Sequence, residues 1–288
     1  MAAVAIALGS SLLWGAADFL GGLKSRRYPV AVVLACMYAI ALATMAIVVL
    51  VRGAGPPDRQ AVAAAIGSGL VGIVGLAAFY RALAIGTMSI VAPIAATGVA
   101  LPVLVGLATG DDPGALRSAG LAVAVLGVVL ASRESDGGAS GSREQRQSIA
   151  LAVLAGFGFG SYFVLSEIGA RQDVGWTLLL SRASAMPFLA AFAVLALRRH
   201  AGGIAGGMPR GRELAALAAI GMLDLGATSL YNIATTIGEL STVAVASSLY
   251  PVTTVLLASV LLGERVRGTQ RTGVVVTLVG VVLIAAGA

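Results

Sequence analysis

The chain has 288 residues, of which 58% are apolar and only 11% charged, with a formal net charge of +6 and a mean hydropathy of +0.97. A soluble domain is about 25% charged, so a water-soluble fold is excluded: it could not cover this much apolar surface. Apolar stretches run unbroken well past the ~10 residues of a membrane β-strand, which excludes a β-barrel and leaves helices to satisfy the backbone in lipid.

A spanning helix needs roughly 20 apolar residues, and ten stretches are predicted to meet that need. In chain order they run Ala3 to Gly22, Val30 to Val51, Val62 to Ala84, Met88 to Thr109, Leu116 to Ser132, Ile149 to Gly169, Trp176 to Leu197, Leu214 to Thr236, Ser241 to Leu262 and Thr272 to Gly287. Only short connections remain between them. Met1 to Leu13 contains no Lys or Arg, so the first stretch is expected to be a retained span and not a cleaved signal.

Ionisable residues inside a span are costly, by roughly 2.5 to 3.5 kcal/mol on insertion scales, and normally face a cavity or a partner. Five fall in these stretches: Asp18, Arg81, Glu167, Arg182 and Asp224. In span 1, Ser11, Trp14 and Asp18 are spaced by three and four, so all three can point into one cavity; alternatively Asp18 reaches headgroup water and pairs with Lys24 or Arg26. Span 3 ends with Tyr80 and Arg81. Arg81, Glu167 and Arg182 read as near span ends, where a long side chain can reach the interface.

Span 8 carries the clearest polar stripe, with Asp224, Thr228, Tyr231 and Thr235 on one face and Asn232 beside it, either lining a cavity or holding helices together. Span 9 sets Ser247, Pro251 and Thr254 on one stripe with Tyr250 adjacent. Pro251 frees a backbone carbonyl and is a hinge candidate, or simply a kink. The spacings Gly156-x-x-x-Gly160 and Gly106-x-x-x-Gly110 suit close helix packing.

The stretch SRESDGGASGSREQRQ, Ser132 to Gln147, straddles the midpoint of the chain. It divides a first repeat (1–132) from a second (148–288), with 133–147 as linker. Tyr80, Gly86, Ser89, Val91 and Ala92 correspond to Tyr231, Gly238, Ser241, Val243 and Ala244, Asp112 to Glu264, and Gly120 and Gly127 to Gly273 and Gly280. Five spans per repeat is an odd number, so the expected fold is an all-α membrane protein of ten transmembrane helices in two five-helix inverted-topology repeats. In secondary transporters such repeats support alternating access around a midplane site.

The ordered motifs LLWGAADF (Leu12 to Phe19), FYRALAIG (Phe79 to Gly86) leading into SIVAPI, and LYPVTTVLLASVLLGERV from Leu249, followed by Gln270 and Gly273, resemble the EamA-like branch of the drug/metabolite transporter superfamily. The first half departs from the pattern: Asp111 and Asp112 replace Gly-Glu, and span 2 reads ACMYA without the arginine of span 7. The resemblance implies a multi-pass transporter or exporter of small metabolites, such as amino acids or drugs, in the cell's inner or plasma membrane. It also implies cytoplasmic termini, whereas 13 Lys and Arg in the loops after spans 1, 5, 7 and 9 against 4 on the other side place the termini outside by the positive-inside rule.

Cys36 stands alone and His200 follows Arg198 and Arg199 in a loop, so no catalytic residue, metal site or cofactor is expected. Without a Walker-type phosphate loop, transport would be facilitated or ion-coupled, with Asp18 and Asp224 as the proton-coupling candidates. Scattered basic residues suit lipid headgroups better than nucleic acid. The substrate cavity is assigned to Ser11, Trp14, Asp18, Tyr80, Asp224, Thr228, Tyr231, Asn232, Ser247 and Tyr250, whose aromatic and acidic character suits an amine-bearing solute. The rival reading, an intramembrane enzyme acting on a lipid-linked substrate, would need a nucleophile, a metal or an acid–base pair.

Overall fold

The computed structural model describes residues 2–108, 114–131, 143–199, 208–238, 240–264 and 268–286, and among them the regular elements are all helical. In order these are α1 (Ala2–Ser25), α2 (Val30–Arg52), α3 (Arg59–Ile85), α4 (Met88–Ala96), one 3-10 turn (Thr97–Val99), α5 (Ala100–Ala108), α6 (Gly114–Ala131), α7 (Arg143–Ala170), α8 (Val174–Arg199), α9 (Arg212–Ile237), α10 (Leu240–Ser247), α11 (Tyr250–Leu261) and α12 (Gly268–Ala286). Six of them, α1, α2, α3, α7, α8 and α9, are each long and apolar enough to cross a bilayer. Leu12, Ile47, Leu50, Val74, Phe157 and Phe192 on these helices point outward and are exposed, which suits a surface facing hydrocarbon. Gly110, Asp111, Asp112, residues 133–142 of the expected linker and His200 lie outside the described residues; 143–147 of that linker form the start of α7.

The fourth and ninth predicted stretches are each broken in two. Pro102 has no N–H for the carbonyl of Gly98, four residues back, and the chain tightens to a 3-10 turn at that point. Pro251 lies in the first turn of α11, where its missing N–H is tolerated and the bond to Ser247 is absent. Thr97 is eight residues beyond Ser89 and Ser248 seven beyond Ser241, so the breaks fall at corresponding places in the two halves.

Helix partners cross between the halves: α1 packs on α9 and α3 on α7, while α2 meets α8, α4 meets α11, and α6 meets α12. Exchanging the halves swaps α1–α9 with α3–α7 and returns α2–α8 and α6–α12 to themselves. In lipid the hydrophobic effect does not pull helices together, so close backbone approach through small residues is needed. A Cβ on Gly158 would lie 2.6 Å from Gly75 Cα, and one on Gly98 would lie 2.0 Å from the carbonyl oxygen of Gly156. Gly156 and Gly160 thus do pack closely, against the 97–99 turn, as their spacing suggested.

Polar ties fasten both ends of the bundle. At one end Asp58 caps α3 through Ala61 N–H (2.8 Å), and its backbone N–H donates to Gln172 (3.0 Å). Nearby, Arg52 donates to both oxygens of Asp173 (3.0 and 2.7 Å), which itself caps α8 at Trp176 N–H (2.9 Å). At the other end Lys24 and Arg27 of the α1–α2 segment hold Glu213 of α9, and Arg26 holds Glu264, which also accepts from the Ser89 N–H and hydroxyl at the start of α4.

Candidate functional site

Asp224 and Thr228 are one turn apart on α9 and therefore share a face. Arg182 is the ninth residue of α8, roughly 12 Å along the axis from its start at 1.5 Å per residue. Its Nη2 donates to Asp224 Oδ2 (2.9 Å) and to Thr228 Oγ1 (3.0 Å), and Thr228 Oγ1 in turn donates to the Asp224 carbonyl (2.6 Å). The guanidinium lies 4.7 Å from the ring centroid of Tyr38 on α2, within cation–π range. Arg182 is only 3% exposed, so the expectation that it reaches the interface is corrected. Its charge is matched inside the bundle by Asp224.

These groups line a cavity with about 60 Å³ open to the centres of water-sized spheres, room for roughly four waters at ~15 Å³ each. Asp18, Tyr38, Tyr162, Arg182, Asp224, Thr228 and Tyr250 supply its polar lining, and Trp14, Leu76, Phe159 and Phe163 its apolar walls. Helices from both halves contribute. The aromatic walls are tied together: Trp14 lies 5.8 Å from Phe163 and 5.7 Å from Tyr231, and Phe159 meets Tyr250 edge-on at 6.3 Å.

Asp18 is 4% exposed, yet its carboxylate has no hydrogen bond or ion pair among the described residues. The alternative of a surface pairing with Lys24 or Arg26 is overturned, because those cations are held by Glu213 and Glu264. Of the three buried polar atoms without a hydrogen-bond partner among the described residues, the Ser25 hydroxyl is not on a lining residue, whereas the Arg182 Nε–H and the Tyr250 hydroxyl belong to residues that line the cavity. Buried polar groups are nearly always satisfied. Asp18, Arg182 and Tyr250 all line the one cavity, so its occupant would lie beside three residues that each carry an unpartnered polar group.

Of the residues expected in the cavity, Trp14, Asp18, Asp224, Thr228 and Tyr250 line it. The others sit behind the lining for identifiable reasons. Tyr80 is fully buried and donates to the Ala17 carbonyl (3.3 Å). Tyr231 donates to the Phe163 carbonyl (3.0 Å) and stacks on the Phe163 ring. Asn232 bonds Ser166 (2.7 Å) and the Thr228 carbonyl (2.9 Å). Ser247 reaches the Ala7 carbonyl (3.4 Å), and Ser11 is buried along α1. Tyr80, Tyr231, Asn232 and Ser247 thus tie helices together, the second reading that span 8 allowed. Pro251 lies at the start of α11, beside the lining residue Tyr250.

Outside the cavity, Glu167 pairs with Arg171 one turn on, and Arg81 is exposed near the end of α3 at an apolar groove. Tyr38, Tyr162, Phe159 and Phe163 went unnoticed in the sequence, since aromatic residues in apolar helices read equally as core. Among the described residues no group of three or more His, Cys, Asp or Glu side chains converges to hold a metal ion.

The model of the EamA-like transporter family matches residues 1–133 and 146–286. The chain belongs to the EamA-like transporter family. None of the curated proteins compared matches this EamA-like chain. Among solved structures, one crystal structure, described only as that of a protein, aligns over 99% of this chain and 97% of its own, with a TM-score of 0.67 and 19% identity. At that identity the likeness is one of fold.

Proposed function

We propose that this EamA-like protein is a secondary transporter that carries small solutes across the cell membrane, with its two repeats alternating access around the central cavity and proton movement linked at Asp18 and Asp224. The observation that carries the reading is the unpaired Asp18 carboxylate, buried beside the Arg182–Asp224 pair in a cavity built from both halves. Burying a lone carboxylate charge is costly unless it is paired or neutralised, so Asp18 holds a proton or a cation whenever the cavity is closed.

Counting α4 with α5, and α10 with α11, as one span each, and adding α6 and α12, completes ten spans as five per repeat (1–132 and 148–288). Five spans per repeat makes the second repeat enter the membrane inverted with respect to the first. The crossed partnering of α1 with α9 and α3 with α7 supports a two-fold relation of this kind. The proline-broken helices lie where a repeat could bend.

The test is counterflow in vesicles holding the purified protein, with amino acids, cationic drugs and sugars as solutes, with and without a pH gradient. Saturable exchange driven by the gradient is expected, and Asp18→Asn should abolish the response to the gradient. Flux that never saturates, or exchange indifferent to both Asp18→Asn and Asp224→Asn, would overturn the proposal.

A further inference from the structure

Three charged side chains meet the cavity: Asp18, Asp224 and Arg182. Arg182 is committed to Asp224 at 2.9 Å, so the surplus is the single negative charge of Asp18. A monocation brings the buried set to neutrality, as a proton does. A zwitterion leaves the surplus unchanged and sets its own carboxylate against Asp224 for the one guanidinium. An anion doubles the imbalance. Aromatic faces line the space beside the carboxylate, Trp14 and Phe159 among them, and such faces attract cations.

The remaining unpartnered atoms define a second requirement. The Arg182 Nε–H can only donate, and the Tyr250 hydroxyl can donate or accept; both are buried without a partner. A ligand oxygen would satisfy them. The space open in this conformation, about 60 Å³ to the centres of water-sized spheres, suits a small solute.

We infer that the cavity recognises a small monocationic amine bearing a hydroxyl or carbonyl oxygen. Its ammonium group occupies Asp18 in place of the proton, and its oxygen takes the Arg182 Nε–H and the Tyr250 hydroxyl. This rests on the transporter reading above and names its substrate class. One proton leaves Asp18 for each monocation that enters, so the exchange is electroneutral. The other titratable groups lining the cavity with Asp18 are Asp224 on α9, Arg182 on α8, and the phenols of Tyr38, Tyr162 and Tyr250, with Tyr80 behind the lining; Arg182 and Asp224 neutralise one another.

The protein carries two tryptophans. Trp14 is at the cavity, whereas Trp176 is at the α2–α3 end of the bundle, bonded to the Ala54 carbonyl (3.0 Å). In a Trp176→Phe background, Trp14 fluorescence reports the site without requiring transport. Ethanolamine and choline would be titrated against their zwitterionic counterparts, glycine and glycine betaine, and against the uncharged carbon isostere of choline. The expected result is saturable binding of the two monocations, at least roughly tenfold tighter than their zwitterions, weakening as the pH is lowered and lost in Asp18→Asn.

Asp18→Asn removes no ion pair, so its melting temperature should stay at or above that of the parent, which separates lost binding from lost folding. Tighter binding of the zwitterions or the isostere, or undiminished monocation binding by folded Asp18→Asn, overturns the assignment. Counterflow of some other solute without any amine binding overturns the substrate class and leaves the transporter standing. No exchange of any solute removes the reading on which the assignment rests.

Discussion

Arg182 and Asp18 illustrate opposite treatments of a charge in lipid: one is matched, the other left open. Removing one partner of a buried pair strands the other and typically costs about 3–5 kcal/mol. Arg182→Met should therefore lower the unfolding free energy in detergent by roughly that amount, whereas Arg182→Met with Asp224→Leu should recover most of it and still fail in counterflow. Differential unfolding curves beside transport assays would separate the two effects. The polar ends behave differently. The Ala61 N–H and the Gln172 side chain hold Asp58 below its ordinary carboxylate range; partial burial works against Asp173, but the Arg52 fork and the Trp176 N–H outweigh it and hold Asp173 low as well. A carboxylate depressed in the folded state stabilises above its unfolded pKa of about 3.9 and loses that contribution as pH falls through its lowered folded value. Melting temperature should thus drop on acidification from about pH 5 downward, and less steeply in Asp58→Asn and Asp173→Asn. At this scale the sequence made Asp18, Asp224 and Thr228 visible, because a polar group in an apolar run is conspicuous. Arg182 was equally conspicuous but was misplaced, since span ends are soft in hydropathy and its depth depends on where Asp173 starts α8.

The elements most exposed to single substitutions are those where backbone meets backbone. A methyl on Gly98 would lie 2.0 Å from the Gly156 oxygen, whereas one on Gly67 would lie 3.4 Å from the tip of the Leu165 side chain. Gly98→Ala should force α4, α5 and α7 apart and sharply reduce the folded yield on size-exclusion chromatography; Gly67→Ala should elute as the parent does. Pro251→Ala restores an N–H to the Ser247 carbonyl and joins α10 to α11. We expect unchanged or higher thermal stability with slower counterflow, and unchanged turnover would mean that the break is not a hinge. Hydropathy located the long helices to within a few residues, yet it ran straight through both breaks. It averages over side chains and is blind to one missing backbone hydrogen bond. Pro251 was flagged as a bend, whereas the effect of Pro102 became evident only beside the 3-10 turn.

At the level of the whole molecule, the internal correspondence between Ser89 and Ser241, or between Gly86 and Gly238, reveals duplication but not which faces meet. That α1 pairs with α9, and α3 with α7, depends on close approaches such as Gly75 to Gly158, which one linear sequence does not disclose. The pairing predicts that chains covering 1–140 and 141–288, made separately, will each fail to yield a folded species in detergent, and that co-expression will restore a complex able to bind the same solutes. The same crossed pairing sets a schedule for synthesis. Asp18 enters the bilayer with the first helix, but Arg182 and Asp224 follow more than 160 and 200 residues later. At about 5–20 residues per second, the nascent first half waits on the order of ten seconds or longer before the helices that its glycine surfaces pack against have been made.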